Sequence, residues 1–418
     1  MMRLSTLLIL FTCASTATAE RIFTSGFETN NFTATEWAQV ASCTIETASG
    51  TPHSGSYYAR CVTTTGGVRN QNWDTADKTT GSYYYGFYIR IAALPSVSDI
   101  KILQTLSSAS VEALSILVDA DGSIDLRNTV TGTTRAGSAT LSINVWYRFD
   151  VTYTLSDTVG VLDLEIYDDS GSLVEDFSAI TGEDTLATNV RTSIHIGLLT
   201  ADGQLDLDID DVRINNEAGT FETGLPGAGK IAFVEPTSDN TVTWTKTGAN
   251  CSATTNTDCV DDEPGVPDDD SGYNASSATA GDEDRLNKTA LPAEVPSDAD
   301  MVLVHVLGRT GGGGTTGNRT SRLLLWDDAG AQTLGATSSN CDSAAGTWLL
   351  SQSPHDLVFD LSTRSKATVD DADFDLGYEN VSAHACRTTA LWANVEWTEA
   401  PAAPSCAQSI ALLGVGCR

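Results

Sequence analysis

Basic residues are scarce in this chain. Of its 418 residues only 23 are Lys or Arg, against 55 Asp or Glu, which gives a formal net charge of −32. Binding to nucleic acid or to an anionic membrane surface needs clustered Lys and Arg to displace counterions from phosphate groups. The sequence therefore predicts no nucleic-acid partner and no attraction to an anionic membrane.

Long apolar runs are also lacking. The first, residues 4–11, is far shorter than the ~20 residues that a membrane-spanning helix needs. It follows Arg3 and precedes the small-residue sequence Ala17-Thr18-Ala19, which is the pattern of a signal peptide over residues 1–19. Cys13 leaves a lipoprotein as the alternative, although the sequence before it is a poor lipobox. We predict a secreted, extracellular or periplasmic protein without membrane insertion.

No C-x-x-C motif occurs, which makes a zinc site the weaker interpretation of the cysteines. Nine cysteines are present, and removal of Cys13 with the signal peptide leaves an even number in an oxidising compartment. They fall into close sequential pairs. We therefore predict the disulfides Cys43–Cys61, Cys251–Cys259, Cys341–Cys386 and Cys406–Cys417.

Long stretches of helical periodicity are missing, and strand-like alternation takes their place. Apolar and polar residues alternate from Tyr83 to Ile91 and again from Val145 to Leu155. The turn sequence Asp119-Ala120-Asp121-Gly122 joins two further alternating segments, as in a β-hairpin. Strands at this spacing predict an all-β protein of two antiparallel, jelly-roll-like β-sandwich domains in tandem.

A Gly- and Pro-rich segment at 219–230 separates the two predicted domains. Its Gly224 to Lys230 stretch satisfies the phosphate-loop spacing, but Ile231 stands where that motif has Ser or Thr. We interpret the segment as a linker. The predicted organisation is a signal peptide at 1–19, a first sandwich at 20–218, a linker at 219–230, a second sandwich at 231–399 and a tail at 400–418.

Several short segments of the first half resemble concanavalin A-like and laminin-G-like jelly rolls over about residues 21–216. They are Thr24-Ser25-Gly26-Phe27-Glu28 with Trp37, then residues 53–60, 144–149 and 207–212. The second half is similar to β-sandwich modules of phage virion and environmental secreted proteins, through residues 260–264, 268–273 and 391–397. The first resemblance implies an exported, non-catalytic, lectin-like protein that binds glycans or a cell or virion surface. The alternative is a structural fibre or decoration protein, such as one associated with a virion.

No complete catalytic set is readable from the sequence. The E-x-D-x-x-E motif of glycosidases on this fold is absent, and Asp163 and Glu165, which share one face of a strand, are interpreted as exposed acids. Ser193-Ile194-His195 resembles the Q-x-H strand of sandwich-fold polysaccharide lyases, but Ser193 stands where those lyases have Gln. We predict that the protein is not an enzyme, with a polysaccharide lyase or glycoside hydrolase as the remaining alternative.

Four residues are predicted to bind carbohydrate. Tyr88, Arg90, Arg148 and His195 all lie at the non-apolar positions of their predicted strands. Aromatic and Arg side chains suit sugar rings and hydroxyl groups because they offer planar surfaces and forked donors. The alternative is an ordinary solvated sheet face.

A calcium site is predicted from a break in one strand pattern together with the family resemblance. The alternation through Leu207 and Ile209 changes phase before Val212, which indicates a β-bulge at Asp210-Asp211. In the resembled jelly rolls an N-terminal Glu and this late Asp pair meet around a structural calcium ion. The resemblance therefore implies that Glu28, Asp210 and Asp211 bind calcium through their carboxylate oxygens. A bulge with solvated acids is the alternative.

Overall fold

The structure of the protein is a computed structural model. It describes residues 21–32, 37, 39–41, 43–47, 51–62, 66–71, 80–107, 110–186, 191–200, 205–217, 224–251, 255–262, 266–312, 319–327, 330–334, 339–341, 348–356 and 365–399. The predicted signal peptide, the 400–418 tail and the Cys406–Cys417 disulfide lie outside the described residues. The all-β, two-sandwich prediction is confirmed, since four antiparallel sheets contain all of the described β-strands.

The first sandwich consists of sheets A and B, both formed by residues 21–216. Sheet A has nine strands: β1 (Arg21–Ser25), β3 (Cys43–Glu46), β4 (Tyr58–Val62), β6 (Gly81–Ala93), β11 (Trp146–Leu155), β12 (Gly160–Asp168), β13 (Leu173–Asp176), β14 (Ile180–Glu183) and β16 (Asp206–Asn216). Sheet B has seven strands: β2 (Gln39–Ala41), β5 (Gly66–Gln71), β7 (Ile100–Ser107), β8 (Glu112–Val118), β9 (Ser123–Asn128), β10 (Thr133–Thr140) and β15 (Arg191–Leu198).

The second sandwich consists of sheets C and D, with six strands each. Sheet C contains β17 (Lys230–Val234), β19 (Thr245–Gly248), β20 (Gly272–Ala275), β22 (Asp300–Gly312), β26 (Trp348–Asp356) and β28 (Cys386–Thr398). Sheet D contains β18 (Pro236–Val242), β21 (Glu283–Lys288), β23 (Thr320–Trp326), β24 (Gln332–Leu334), β25 (Ser339–Asn340) and β27 (Leu376–Asn380). One α-helix, α1 (Lys366–Asp370), and two 3₁₀ turns (Thr257–Cys259 and Asp269–Ser271) complete the described elements.

The alternation in the sequence explains which side chains face the core of the first sandwich. In β12 the residues Leu162, Leu164 and Ile166 are buried, whereas the residues between them are only partly buried. Side chains two apart on a strand share a face, so the apolar set packs into the core between sheets A and B. The predicted hairpin is also confirmed, because β8 and β9 pair in antiparallel fashion on either side of the 119–122 turn.

Three predicted disulfides are confirmed. Cys43 and Cys61 are direct cross-strand partners on β3 and β4, with Cα atoms 4.3 Å apart. The Cys251–Cys259 and Cys341–Cys386 disulfides lie in the second sandwich. Disulfides of this kind are typical of extracellular proteins. Among the described residues, no helix has the length and apolar character that crossing a membrane requires.

Buried polar contacts join the two sandwiches. The Arg21 and Arg213 guanidinium groups both pair with the Glu396 carboxylate on β28, and all three side chains are buried. The Asn394 amide donates to the Thr24 carbonyl oxygen at 2.9 Å. The Ile231 N–H of β17 donates to Asp211 Oδ1 at 2.8 Å. These contacts bring the bulge of the first sandwich against the first and last strands of the second.

Candidate functional site

The outer face of sheet A carries the main cluster of polar side chains. On β11, Phe149 and Val151 point into the core, and Arg148 and Asp150 therefore lie on the opposite face. Antiparallel pairing places Asp150 directly opposite Glu165 of β12 and Gly86 of β6. We call Arg148, Asp150, Glu165 and Tyr167 the β11–β12 face.

The β11–β12 face is held in place by its own contacts. Arg148 Nε donates to Asp150 Oδ2 at 2.9 Å, and the same guanidinium lies 4.1 Å from the centre of the Tyr167 ring. The Tyr167 hydroxyl donates to Glu165 Oε2 at 2.8 Å. A chain of contacts thus runs from Asp150 through Arg148 and Tyr167 to Glu165, and it fixes both carboxylates.

The two carboxyl groups lie in different environments. Asp150 is 3% exposed, and burial raises its pKa, although Arg148 and Arg213 oppose that shift. Asp150 Oδ1 is buried and has no hydrogen-bond partner among the described residues. Glu165 is only half-buried. A buried acid with a raised pKa opposite a more exposed carboxylate is the arrangement that acid–base chemistry uses.

Room next to Asp150 depends on a glycine. A Cβ atom at Gly86 would lie 3.5 Å from Asp150 Oδ1 and 3.0 Å from Pro226 Cβ. Pro226 belongs to the segment between the sandwiches, so this segment packs against the face at β6. A larger residue at position 86 would displace Pro226.

The structure brings together three of the four predicted carbohydrate-binding residues. Tyr88 and Arg148 are cross-strand partners, and Arg90 lies opposite Trp146 on the same two strands. Their exposed fractions are only 5% for Tyr88 and 8% for each Arg. The alternative of a solvated face is therefore wrong for these three positions.

A loop covers Tyr88. The His53 ring stacks on the Tyr88 ring with centroids 3.5 Å apart, and the Arg213 guanidinium lies 5.8 Å from the centre of that ring. Trp146 Nε1 donates to the Thr51 carbonyl oxygen at 2.9 Å, which holds the loop in place. The ring surface that was expected to stack on a sugar is thus occupied by His53.

His195 does not belong to this group. It lies on β15 of sheet B, where its Nδ1 is 3.1 Å from the Gln104 amide nitrogen. The prediction of one ligand-facing surface containing all four residues is wrong, because alternation along a strand gives the face of a residue but not the sheet.

The three predicted calcium ligands do lie close together, and the predicted bulge explains why. The pairing of β16 with β6 shifts between Asp210 and Arg213, and Asp211 has a positive φ of 47°. Burial raises the Asp210 pKa, with Asp211 and Glu28 adding repulsion. Burial also raises the pKa of Glu28 to about 8, with Asp211 among the charges that add to the shift.

Hydrogen bonds from the 53–57 loop satisfy these carboxylates. Asp210 Oδ2 accepts from the His53 and Ser54 N–H groups at 2.9 and 3.3 Å. The Glu28 carboxylate accepts from the Ser56 and Tyr57 N–H groups at 3.0 and 3.1 Å. In the described part of the chain, no group of three or more His, Cys, Asp or Glu side chains is arranged to hold a metal ion. Calcium binding therefore stays a prediction.

His53 is the residue of this cluster that sequence reasoning missed. Its Nδ1 lies 2.5 Å from Asp211 Oδ2 and its Nε2 lies 3.1 Å from Asp169 Oδ1. Burial lowers its pKa, but the hydrogen bonds to Asp169 and Asp211 outweigh burial and the pKa is raised. His53 lies within a loop, where alternation gives no signal.

Asp150 was also missed, although a signal was available. The β11 and β12 strands form a hairpin in which Thr154 pairs with Val161. Four residues before Thr154 on β11 and four residues after Val161 on β12, the register places Asp150 opposite Glu165. This cross-strand pair follows from the position of the turn, whereas alternation along one strand relates Glu165 only to Asp163.

Comparison with known proteins gives similarity at the level of fold. No family model matches the chain, and no curated protein matches it. The solved structures that it resembles include a cellulose-induced protein, Cip1, with 14% identity, a TM-score of 0.35 and coverage of 49% of this chain and 99% of Cip1. They also include arcelin-5, a lectin-like defence protein from Phaseolus vulgaris, with 14% identity, a TM-score of 0.31 and coverage of 47% and 99%.

A third resembled structure is an enzyme. The catalytic domain of a GH131 β-glucanase from Podospora anserina has 13% identity and a TM-score of 0.29, with coverage of 44% of this chain and 82% of the glucanase domain. The prediction that the protein is not an enzyme is withdrawn, because lectin-like and catalytic proteins both occur among the structures that the chain resembles. None of these similarities carries a functional assignment, and the virion-fibre alternative stays a prediction.

Proposed function

We propose that the protein is an exported glycan-active protein whose β11–β12 face binds a polysaccharide and hydrolyses a glycosidic bond. The observation that supports this is the cross-strand pair of Asp150 and Glu165, two carboxyl groups in unlike environments. Export is supported by the predicted signal peptide and the three disulfides.

The spacing of the two acids suits this chemistry. Residues directly opposite each other on antiparallel strands have Cβ atoms about 5 Å apart. Glycosidases hold their two carboxyl groups roughly 5–9 Å apart, depending on whether the carboxylate or a water molecule attacks the sugar. Asp150 and Glu165 can therefore flank one glycosidic oxygen and one anomeric carbon.

The different surroundings of Asp150 and Glu165 indicate which of them acts as the acid. Asp150 has a raised pKa and an unpartnered Oδ1, so it is the acid that protonates the leaving oxygen. Glu165 accepts a hydrogen bond from Tyr167 and acts as the base or nucleophile. Tyr167 is half-buried and lies beside Glu165, where its ring would contact a sugar.

The test is an assay of the full-length mature protein on a panel of neutral and acidic polysaccharides, following new reducing ends. Asp150→Asn and Glu165→Gln should each slow hydrolysis about a hundredfold or more, the usual contribution of a positioned acid or base. The matched control is Asp163→Asn, on the same strand face as Glu165, which should leave the rate unchanged.

Two outcomes would overturn the proposal. Glycan binding without any release of reducing ends would remove the hydrolytic step. Products with an unsaturated sugar end, seen by ultraviolet absorbance, would show β-elimination by a lyase. Melting curves of each variant confirm that a lost rate is not a lost fold.

A further inference from the structure

A separate cavity of about 400 Å³ lies in the second sandwich, at the edge of sheet D. Its lining comes from β18, the end of β21, and the segment between α1 and β27. Its lining includes Ser238, Asn287, Lys288, Asp371, Phe374 and Asp375. This volume lies within the range of small-molecule sites in proteins, roughly 300–1,000 Å³.

Asp375 presents an unsatisfied acceptor at this cavity. The residue is 1% exposed, and its Oδ2 accepts from Arg285 Nε at 2.5 Å and from the Asn240 amide at 2.9 Å. Its Oδ1 is buried and has no hydrogen-bond partner within the described residues. A buried polar atom without a hydrogen-bond partner destabilises the protein, and a ligand that donates to Oδ1 would remove this destabilisation.

Lys288 supplies the complementary donor. Its ammonium donates to the Thr289 carbonyl oxygen at 3.2 Å, and it lies 5.4 Å from the centre of the Phe374 ring. It makes no ion pair within 4.0 Å with any residue that the structure describes. The ammonium therefore has N–H groups left to donate.

The charges around the cavity select the class of ligand. Three aspartates, Asp370, Asp371 and Asp375, outnumber Lys288 and the Arg285 guanidinium that pairs with Asp375, so an anionic ligand is repelled. A cation would meet the Lys288 ammonium, and the described residues contain no three-ligand group for a metal ion. Hydroxyl groups carry no charge and both donate and accept, which matches a lining of ammonium, carboxylate, amide and hydroxyl groups.

We propose that this cavity binds a neutral polyhydroxylated ligand of monosaccharide size, such as the terminal sugar of a glycan. Lys288, which lies over the buried Phe374 ring, donates to one hydroxyl, and Asp375 accepts from another. Asn287 and Ser238, whose side chains are joined at 2.8 Å, border the site. The proposal concerns the second sandwich and does not depend on hydrolysis by the first.

The test uses the full-length mature protein with the methyl glycosides of glucose, galactose, mannose and N-acetylglucosamine, followed by saturation-transfer NMR and calorimetry. At least one probe should bind saturably. Asp375→Asn and Lys288→Met should each weaken that binding by about tenfold or more, as expected for a lost hydrogen bond to a charged group. Asp298→Asn, an exposed acid of the same sandwich outside the cavity, is the matched control.

Glu165→Gln separates this site from the first sandwich. The loss of binding caused by Asp375→Asn should be the same in the wild type and in a Glu165→Gln background, whether or not the β11–β12 face hydrolyses glycans. Binding that is lost in Glu165→Gln but kept in Asp375→Asn would overturn the proposal. So would failure of all four probes to bind, or Lys288-dependent binding of inorganic phosphate. Lys288→Met keeps the apolar stem and so tests the cavity if Asp375→Asn folds poorly.

Discussion

Arg213 on the last strand of the first sandwich pairs with Glu396 on the last strand of the second, Nη1 to Oε1, at 3.3 Å. Arg21 reaches the same carboxylate from β1, and the side chains are buried. Removing one member of a buried ion pair leaves an uncompensated charge, which is why such pairs are costly to break. The Arg21–Glu396 pair joins residues that are 375 positions apart in a chain of 418.

The first prediction follows from that contact. Glu396→Gln leaves two buried guanidinium groups without their carboxylate, and it should lower the free energy of unfolding by about 3–5 kcal/mol. Urea unfolding measures the change. Glu399→Gln is the control, because Glu399 is 67% exposed and its pair with Lys230 should be worth less than about 1 kcal/mol. Equal effects of the two variants would contradict the account.

The second prediction concerns the disulfides. Cys341–Cys386 closes a loop of 45 residues and Cys251–Cys259 one of 8. In the chain-entropy model the longer loop contributes about 4 kcal/mol and the shorter about 2.5 kcal/mol, because the crosslink restricts the unfolded chain more. Paired Cys→Ser variants, compared by denaturant unfolding, should keep this order. A larger loss on removing Cys251–Cys259 would contradict it.

The third prediction is a pH dependence. Burial raises the Glu28 pKa from 4.5 to about 8, so the native state binds a proton that the unfolded state releases. Stability from this group is complete below pH 4.5 and is lost as the pH rises toward 8. The melting temperature of the wild type should fall across that window. The melting temperature of Glu28→Gln should fall less steeply. The prediction would be contradicted if the wild-type melting temperature rose from pH 5 to pH 8 and the melting temperature of Glu28→Gln rose by the same amount.

The fourth prediction concerns calcium. Binding at Glu28, Asp210 and Asp211 would have to displace protons and the N–H donors of the 53–57 loop. We therefore expect calcium to raise the melting temperature more at pH 8 than at pH 6. The free energy of unfolding should rise by about 2.7 kcal/mol when the ion is at a hundred times its Kd. Asp210→Ala should abolish this effect, and Asp163→Ala should not. A melting temperature that does not change with calcium at either pH would contradict calcium binding at these residues.

Local patterns predicted much of this molecule. The alternation through β11 and β12, the bulge at Asp210-Asp211 and the Cys43–Cys61 pairing each depend on residues close in sequence or on strand periodicity. These are properties that a strand shows by itself.

The arrangement of the candidate site could not be read in the same way. Sheet A places β6 between β11 and β16, whereas His195 on β15 joins sheet B, and that choice depends on pairing between distant segments. The stacking of the His53 ring on the Tyr88 ring depends on the position of a loop. Loops carry no periodicity, so their position over a sheet appears only once the whole sandwich is assembled.

The most direct test of the central claim is the release of reducing ends from polysaccharides by the wild type, Asp150→Asn and Asp163→Asn, measured side by side on correctly folded protein. The account predicts hydrolysis by the wild type and by Asp163→Asn, with a loss of about a hundredfold or more in Asp150→Asn. Hydrolysis that survives in Asp150→Asn, or an inactive wild type across the whole panel, would contradict it.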